Sequence, residues 1–171
     1  MDDSDQSNVD RVGHRCWCVN PAMGKTGFGF SPSDRFSAMW SMDASGKGGG
    51  SAQTVFFPAP GYHPTGFFGG HYAWSVHFRG KQPRDAKIAV VPLDRDYAPA
   101  GAPLPFKYQR SGQSGYGMSG ICIFQPEGVS TAPGSKYWVE IQWKGNVIQY
   151  LVEFCSVAPP KPAIAGPDGG K

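Results

Sequence analysis

Apolar side chains recur at every second position in two neighbouring stretches of the last third of the chain. Tyr137, Val139, Ile141 and Trp143 alternate with Glu140, Gln142 and Lys144, the period of a strand that buries one face and wets the other. Gly145-Asn146 supplies a tight reversal, after which Ile148, Tyr150, Val152 and Phe154 alternate against Gln149 and Glu153. Residues 135–157 therefore read as a β-hairpin. A lone hairpin is not stable in water, so the rest of the chain is expected to place strands beside it and a second sheet opposite it.

The same period recurs upstream, where Tyr72, Trp74, Val76 and Phe78 alternate with Ser75, His77 and Arg79. Shorter strand candidates lie at 54–57, 86–91, 106–109 and 121–124, each bounded by Gly or Pro. With the hairpin, they predict an all-β fold, an immunoglobulin-like β-sandwich of about seven strands over residues 53–157. Residues 27–30 and 36–40 form a second, smaller hairpin around the loop 31–35. The linker is read at 45–52, rich in Gly and Ser, so residues 1–44 form a separate first part, and 45–171 are expected to fold cooperatively without it. Residues 1–13 carry Asp2, Asp3, Asp5 and Asp10 with no apolar period and are expected to bury almost nothing. The tail 158–171, rich in Pro and Gly, is expected to be disordered. Tyr137 follows Pro133-Gly134-Ser135-Lys136, the setting of a tyrosine corner, although a tyrosine that simply packs inward has the same pattern.

Composition refines this picture. Gly 24 and Pro 16 fit short strands joined by many turns, while a hydrophobic fraction of 40% and an aromatic fraction of 13% are too high for a disordered polymer. The formal charge of +3 comes from scattered Lys and Arg, which implies no nucleic-acid partner. Apolar runs fall far short of the ~20 residues of a membrane-spanning helix, so no membrane insertion is expected. Met1-Asp2-Asp3-Ser4-Asp5 is acidic where a signal peptide is basic, so no export signal is read in the chain. Four cysteines are too few for a disulfide scaffold. They read as free thiols, with a Cys122–Cys155 bridge and the redox compartment left open.

Four short stretches carry a family resemblance: Gly13-His14-Arg15, Asn20-Pro21, Gly27-Phe28-Gly29-Phe30 and Trp40-Ser41-Met42-Asp43. Together they resemble the end of a bacterial CAP (SCP/PR-1-like) domain. The resemblance implies that residues 1–44 are the remnant of a CAP α/β/α domain, a short helix end plus a β-hairpin. His14 matches one histidine of a cavity that in the family combines two His with two acidic residues and can hold a divalent metal. The other cavity residues belong on upstream helices, and only His14 is carried over, so the remnant is expected to be inactive. Bacterial CAP proteins of this kind are often followed by an immunoglobulin-like domain that opens on a Val-x-x-Pro strand. Val55-Phe56-Phe57-Pro58 and Ala73-Trp74-Ser75-Val76-His77-Phe78 are similar to that arrangement. The resemblance thus implies a fragment or shortened relative of a larger exported protein, in an extracellular or cell-envelope setting.

Candidate chemistry is sparse. His14, Cys16 and Cys18 lack the second ligand pair of a structural zinc site. Gly24-Lys25-Thr26 lacks the glycine a phosphate loop needs five positions earlier, where Val19 stands. No nucleophile elbow occurs; the serine-rich run 111–119, with Gly112-Gln113-Ser114-Gly115, reads as a flexible loop. Asp94, Arg95 and Asp96 read as a solvated turn. Tyr62, His63, Phe67, Phe68 and His71 concentrate in a Gly-rich loop and are the candidate ligand-binding residues, able to stack on a sugar or anchor a cell-surface protein; Phe67 and Phe68 could equally fold back onto the core. The expected function is a non-catalytic binding or spacer module with no catalytic residue, cofactor or metal. The alternatives are a carbohydrate- or protein-binding domain using the aromatic loop 62–72, and a metal-dependent CAP-type hydrolase of which only the tail is present. An active metal site would require His14 to be joined by His63, His71 or His77. Nothing in the sequence sets the oligomeric state.

Overall fold

The computed structural model describes residues 3, 5, 8–20, 22–46, 54–115 and 118–157, with backbone alone at 114, 115, 118 and 119; the predicted linker and tail therefore fall largely or wholly outside the described residues. The described residues form ten strands: β1 (Phe28–Ser31), β2 (Phe36–Met39), β3 (Thr54–Phe57), β4 (Gly61–Pro64), β5 (Trp74–Phe78), β6 (Lys87–Leu93), β7 (Phe106–Gly115), β8 (Met118–Pro126), β9 (Lys136–Trp143) and β10 (Asn146–Cys155). A short helix, α1 (Gly13–Cys18), precedes them, and one 3-10 turn (Thr65–Phe67) follows β4. Strands make up 45% and helices 7% of the described residues, so the expectation of an all-β fold holds.

The alternation that defined the predicted hairpin is what builds the larger core. Tyr137, Val139, Ile141 and Trp143 of β9 and Tyr150, Val152 and Phe154 of β10 are buried on one face. The reversal falls one residue earlier than predicted, at Lys144-Gly145, where both residues have positive φ, 43° and 78°, as a type I′ hairpin turn requires. β6 pairs antiparallel with β9, and β4 pairs parallel with β10, giving a sheet of order β4-β10-β9-β6. A second sheet, of order β3-β5-β8-β7, is antiparallel throughout. Trp74, Val76, Phe78, Cys122 and Phe124 from this sheet pack with the β9 and β10 residues in one cluster, so the two sheets lie face to face.

Tyr137 does both things the sequence left open. Its ring packs on Trp74 and Phe154, while its hydroxyl donates to the Ser130 carbonyl at 3.0 Å and accepts from the Ser130 N–H at 2.8 Å. Cys122 and Cys155 are free thiols, so the bridge left open by the sequence is not formed.

Three expectations are corrected. β4 lies inside the segment taken as an aromatic loop; only four residues long, and opening on Gly61 and closing on Pro64, it carries little alternation to detect. Residues 112–115 belong to β7 rather than to a flexible loop. Register shifts interrupt the β7–β8 ladder between Phe106 and Tyr108 and again on both sides of Gln113, and such bulges break the period of two. The third concerns the chain start. Asp3 and Asn8 are buried, and Val12 and Cys16 form a second cluster with Ala73, Ile121 and Ile123, on the side of the β3-β5-β8-β7 sheet opposite the main core.

Asp3 explains how so polar a segment can be buried. Its carboxylate accepts the backbone N–H groups of His14 (3.2 Å) and Arg15 (3.0 Å), and Asn8 Oδ1 accepts that of Gly13 (3.0 Å). These donors open a helix and have no partner within it. The Tyr108 hydroxyl donates to the Val9 carbonyl, and Arg110 pairs with Asp10 at 2.6 Å, which fastens the segment to β7. Gly120 marks another close approach: a Cβ there would lie 1.8 Å from the Lys81 carbonyl oxygen.

β1 and β2 form the small hairpin that the sequence predicts, in register Phe28↔Met39 through Ser31↔Phe36. Phe28, Phe30, Phe36, Trp40 and Met42 are exposed. Phe28 and Phe30 point to one face of this ribbon and Phe36 to the other, so both faces are apolar.

Removing residues 1–20 uncovers Ala73, Ile121, Ile123 and the β5 side chains beneath them. The shortened chain is expected to lose about 3–5 kcal/mol of stability in urea unfolding. An unchanged unfolding midpoint would show that the segment is not part of the folded unit.

Candidate functional site

The outer face of the β4-β10-β9-β6 sheet combines exposed aromatic rings with fixed polar groups. The ladder places Tyr62 opposite Glu153, Glu153 opposite Lys136 and Lys136 opposite Leu93 in one row, with Leu151, Trp138 and Val91 aligned in the next. In the period-two pattern these positions alternate with the core residues, so they all point away from the core. Tyr62 is 70% exposed and Trp138 36%.

The turn after β6 adds a third ring. Asp94 Oδ1 accepts the N–H groups of Asp96 and Ala98, each at 2.9 Å, and Tyr97 adopts a φ of 63°. This local closure, an Asx-type turn, holds Tyr97 over the sheet. The Tyr97 hydroxyl donates to Glu153 Oε2 at 2.7 Å, and Lys136 Nζ lies 4.8 Å from the centre of its ring. The hydrogen bond to Glu153 lifts the Tyr97 phenol to about 12. Tyr97, Trp138, Val91, Leu93 and Pro99 line a shallow depression of about 280 Å³. Beside it, the two Glu140 carboxylate oxygens accept from the amides of Gln142 and Gln149, both at 2.5 Å. Arg95 and Asp96 pair at 3.2 Å in open solvent, as expected of a solvated turn.

The predicted aromatic candidates are divided between two environments. Tyr62 belongs to the outer face just described. His63, the next residue of β4, points inward and is buried edge-on to Phe57, Phe68 and Phe154. Its Nδ1 accepts the Ala59 N–H at 3.2 Å, and burial holds its pKa below the ordinary value, with the Arg15 charge adding to that effect. Phe68 is a core residue. Phe67, 72% exposed, lies over a separate depression with Phe57 and Tyr72, and His71 is exposed and stacked edge-on against Tyr72. His63 and Phe68 are thus withdrawn from any surface site. Trp138, Tyr97 and Lys136 were missed; the available signal was Trp138, a large aromatic at a wet-face position of an otherwise clean alternation.

His14 is exposed and lies 3.2 Å from Asp3 Oδ1 and 2.9 Å from Asn8 Nδ2. Among the described residues no three His, Cys, Asp or Glu side chains come together as a metal site, and His63, His71 and His77 do not join His14 in one. Burial pushes the Cys16 thiol up to about 12, which keeps it protonated and a poor metal ligand at neutral pH.

A buried polar chain lies behind β5. Arg15 Nη1 donates to the Ala73 carbonyl at 2.6 Å and to Ser75 Oγ at 3.2 Å, and Ser75 Oγ lies 2.9 Å from His77 Nε2. A guanidinium only donates, so the serine oxygen accepts from Arg15, and the same oxygen shares a hydrogen bond with His77 Nε2. Burial, followed by the Arg15 charge, lowers the His77 pKa to about 3.

No family model, curated protein or solved structure matches the chain.

The His77 environment sets a pH dependence. Its folded pKa lies below the unfolded value of 6.5, so between pH 6.5 and about 3 the unfolded chain binds a proton that the folded chain does not. Stability is then complete above pH 6.5 and falls as pH drops through this window, by up to about 1.4 kcal/mol per unit. His63, lowered in the same direction, adds to the effect. Thermal melts from pH 7.5 to 4.5 are expected to show a falling midpoint, with a shallower slope in His77→Gln; parallel slopes in the two proteins would refute the assignment.

Proposed function

We propose that this chain is a non-catalytic binding module built on an immunoglobulin-like sandwich, preceded by the remnant of a CAP-like domain. Strand order supports the first part. Taking β3, β5, β6, β7, β8, β9 and β10 as strands A to G, the two sheets correspond to the ABED and CFG sheets of that fold, with β4 added beside the last strand. The bonds from the Tyr137 hydroxyl to Ser130, at the start of the penultimate strand, agree with it.

The β1–β2 hairpin supports the second part. Its two apolar faces suit the middle layer of an α/β/α domain, which would be covered on both sides. His14 has Asp3 and Asn8 as its side-chain neighbours and, among the described residues, no second histidine or further acidic group completes a metal-holding set around it. The resemblance to exported CAP proteins supports an extracellular or cell-envelope setting.

The observation that carries the binding role is the cluster of Tyr62, Tyr97 and Trp138 on a sheet face where the alternation calls for polar side chains. Exposed aromatics grouped in this way mark interaction sites more often than scattered ones do. The hydrogen bonds of Tyr97 and Glu140 hold the polar groups around them in place before any ligand arrives.

Purified protein is expected to co-sediment with bacterial cell envelopes, and the double variant Tyr62→Ala/Trp138→Ala, with an unchanged melting curve, is expected to lose at least tenfold in affinity. Equal retention of both proteins, or of neither, would overturn the binding role of this face. Metal analysis separates the hydrolase alternative: stoichiometric metal that disappears in His14→Ala would establish a metal centre, whereas the present reading expects none.

A further inference from the structure

We infer that the outer face of the β4-β10-β9-β6 sheet binds the interior of an uncharged polysaccharide chain, an inference that rests on the binding-module reading and names its ligand. The first reason is the chemistry of the rings. Tyrosine and tryptophan present a negative π face, and the C–H bonds on the flat side of a pyranose are the positive, apolar surface that packs on such a face. Tyr62 and Trp138 stand on strands separated by β10. They are also offset by one pair of residues along the ladder. At about 4.8 Å between strands and about 3.3 Å per residue, their bases lie about 12 Å apart on a diagonal. That separation matches a short run of linked sugars rather than one monosaccharide, and Tyr97 stands to the side of it.

The second reason is the polar surround. Sugar hydroxyls need acceptors and donors at fixed positions, and the face supplies carboxylates whose orientation is already set: Glu153 by the Tyr97 hydroxyl, and Glu140 by Gln142 and Gln149. Each carboxylate has lone pairs left to accept from a ligand hydroxyl, so ordering these groups costs little at the moment of binding.

The third reason is charge. Lys87 and Lys136 are matched by Glu140 and Glu153 on the same face, and the turn that presents Tyr97 adds Asp94, Arg95 and Asp96, so the face has no excess of positive charge with which to attract a polyanion. An acidic polysaccharide or a nucleic acid would gain nothing there, and its own charges would meet Glu140 and Glu153 at close range. A protein partner would instead be expected to seek a contiguous apolar centre. Here the row that carries Tyr62 continues into Glu153 and Lys136, so charge borders the short apolar row of Leu151, Trp138 and Val91.

Native affinity electrophoresis of the full chain tests this, using gels cast with neutral polysaccharides (a β-1,4-glucan, a β-1,3-glucan, a β-mannan) and with acidic alginate. Retardation by at least one neutral polymer is expected, unchanged by added salt. It should weaken at least tenfold in Trp138→Ala and separately in Tyr62→Ala, and persist in Phe67→Ala, which lies outside the face. Melting curves of each variant confirm that the fold is kept. Retardation by alginate alone would overturn the inference. So would the absence of retardation in every neutral gel; if envelope binding still depended on Trp138 in that case, the ligand would be a protein and the binding-module reading would survive. Failure in both assays would remove that reading as well.

Discussion

The burial of β5 on both of its faces is the constraint from which the rest of the structure follows. Trp74, Val76 and Phe78 meet the opposite sheet, while Ser75 and His77, polar residues in a strand that reads as half wet, are fully buried beneath the start of the chain. A buried hydroxyl and imidazole are costly without partners. Arg15 reaches Ser75, and through it His77, from α1, so the strand and the N-terminal segment require one another.

Arg15 is itself an expensive group to bury. Burial lowers its pKa to about 10, with the nearby Asp3 charge opposing the shift. Its guanidinium is held by the Ala73 carbonyl and Ser75, and it lies 4.2 Å from the centre of the Phe57 ring, a cation–π contact. Breaking such an arrangement by removing one partner leaves a buried charge or dipole uncompensated. The polar layer between α1 and the sheet thus fixes the position of the segment more narrowly than apolar packing alone would. The opposite sheet is the one that exposes Tyr62, Tyr97 and Trp138 on its outer face.

That open face shows how composition can mislead. The richest run of aromatics in the chain, 62–72, contributes a single ring to it, because successive residues of β4 point to opposite sides of the sheet: Tyr62 outward, His63 inward. The other two rings come from β9 and from a turn after β6, far apart in sequence. Asp94, read from the sequence as part of a solvated charge cluster, has a structural task there, closing the turn that presents Tyr97.

A period of two is a local property, so the inward faces of β5, β9 and β10 are legible along the chain, as are the positions of β3, β6, β8 and the small β1–β2 hairpin. What covers each face depends on packing between segments distant in sequence. Alternation says that a side is polar, not whether water or another segment lies against it, so Ser75 and His77 looked wet and are dry, while Trp138 looked like one more strand residue and stands at the centre of the exposed face. The tertiary structure also decided where irregular backbone joins a sheet, as in the bulged β7 and the short β4, since there the pairing partner, and not the local pattern, makes the strand.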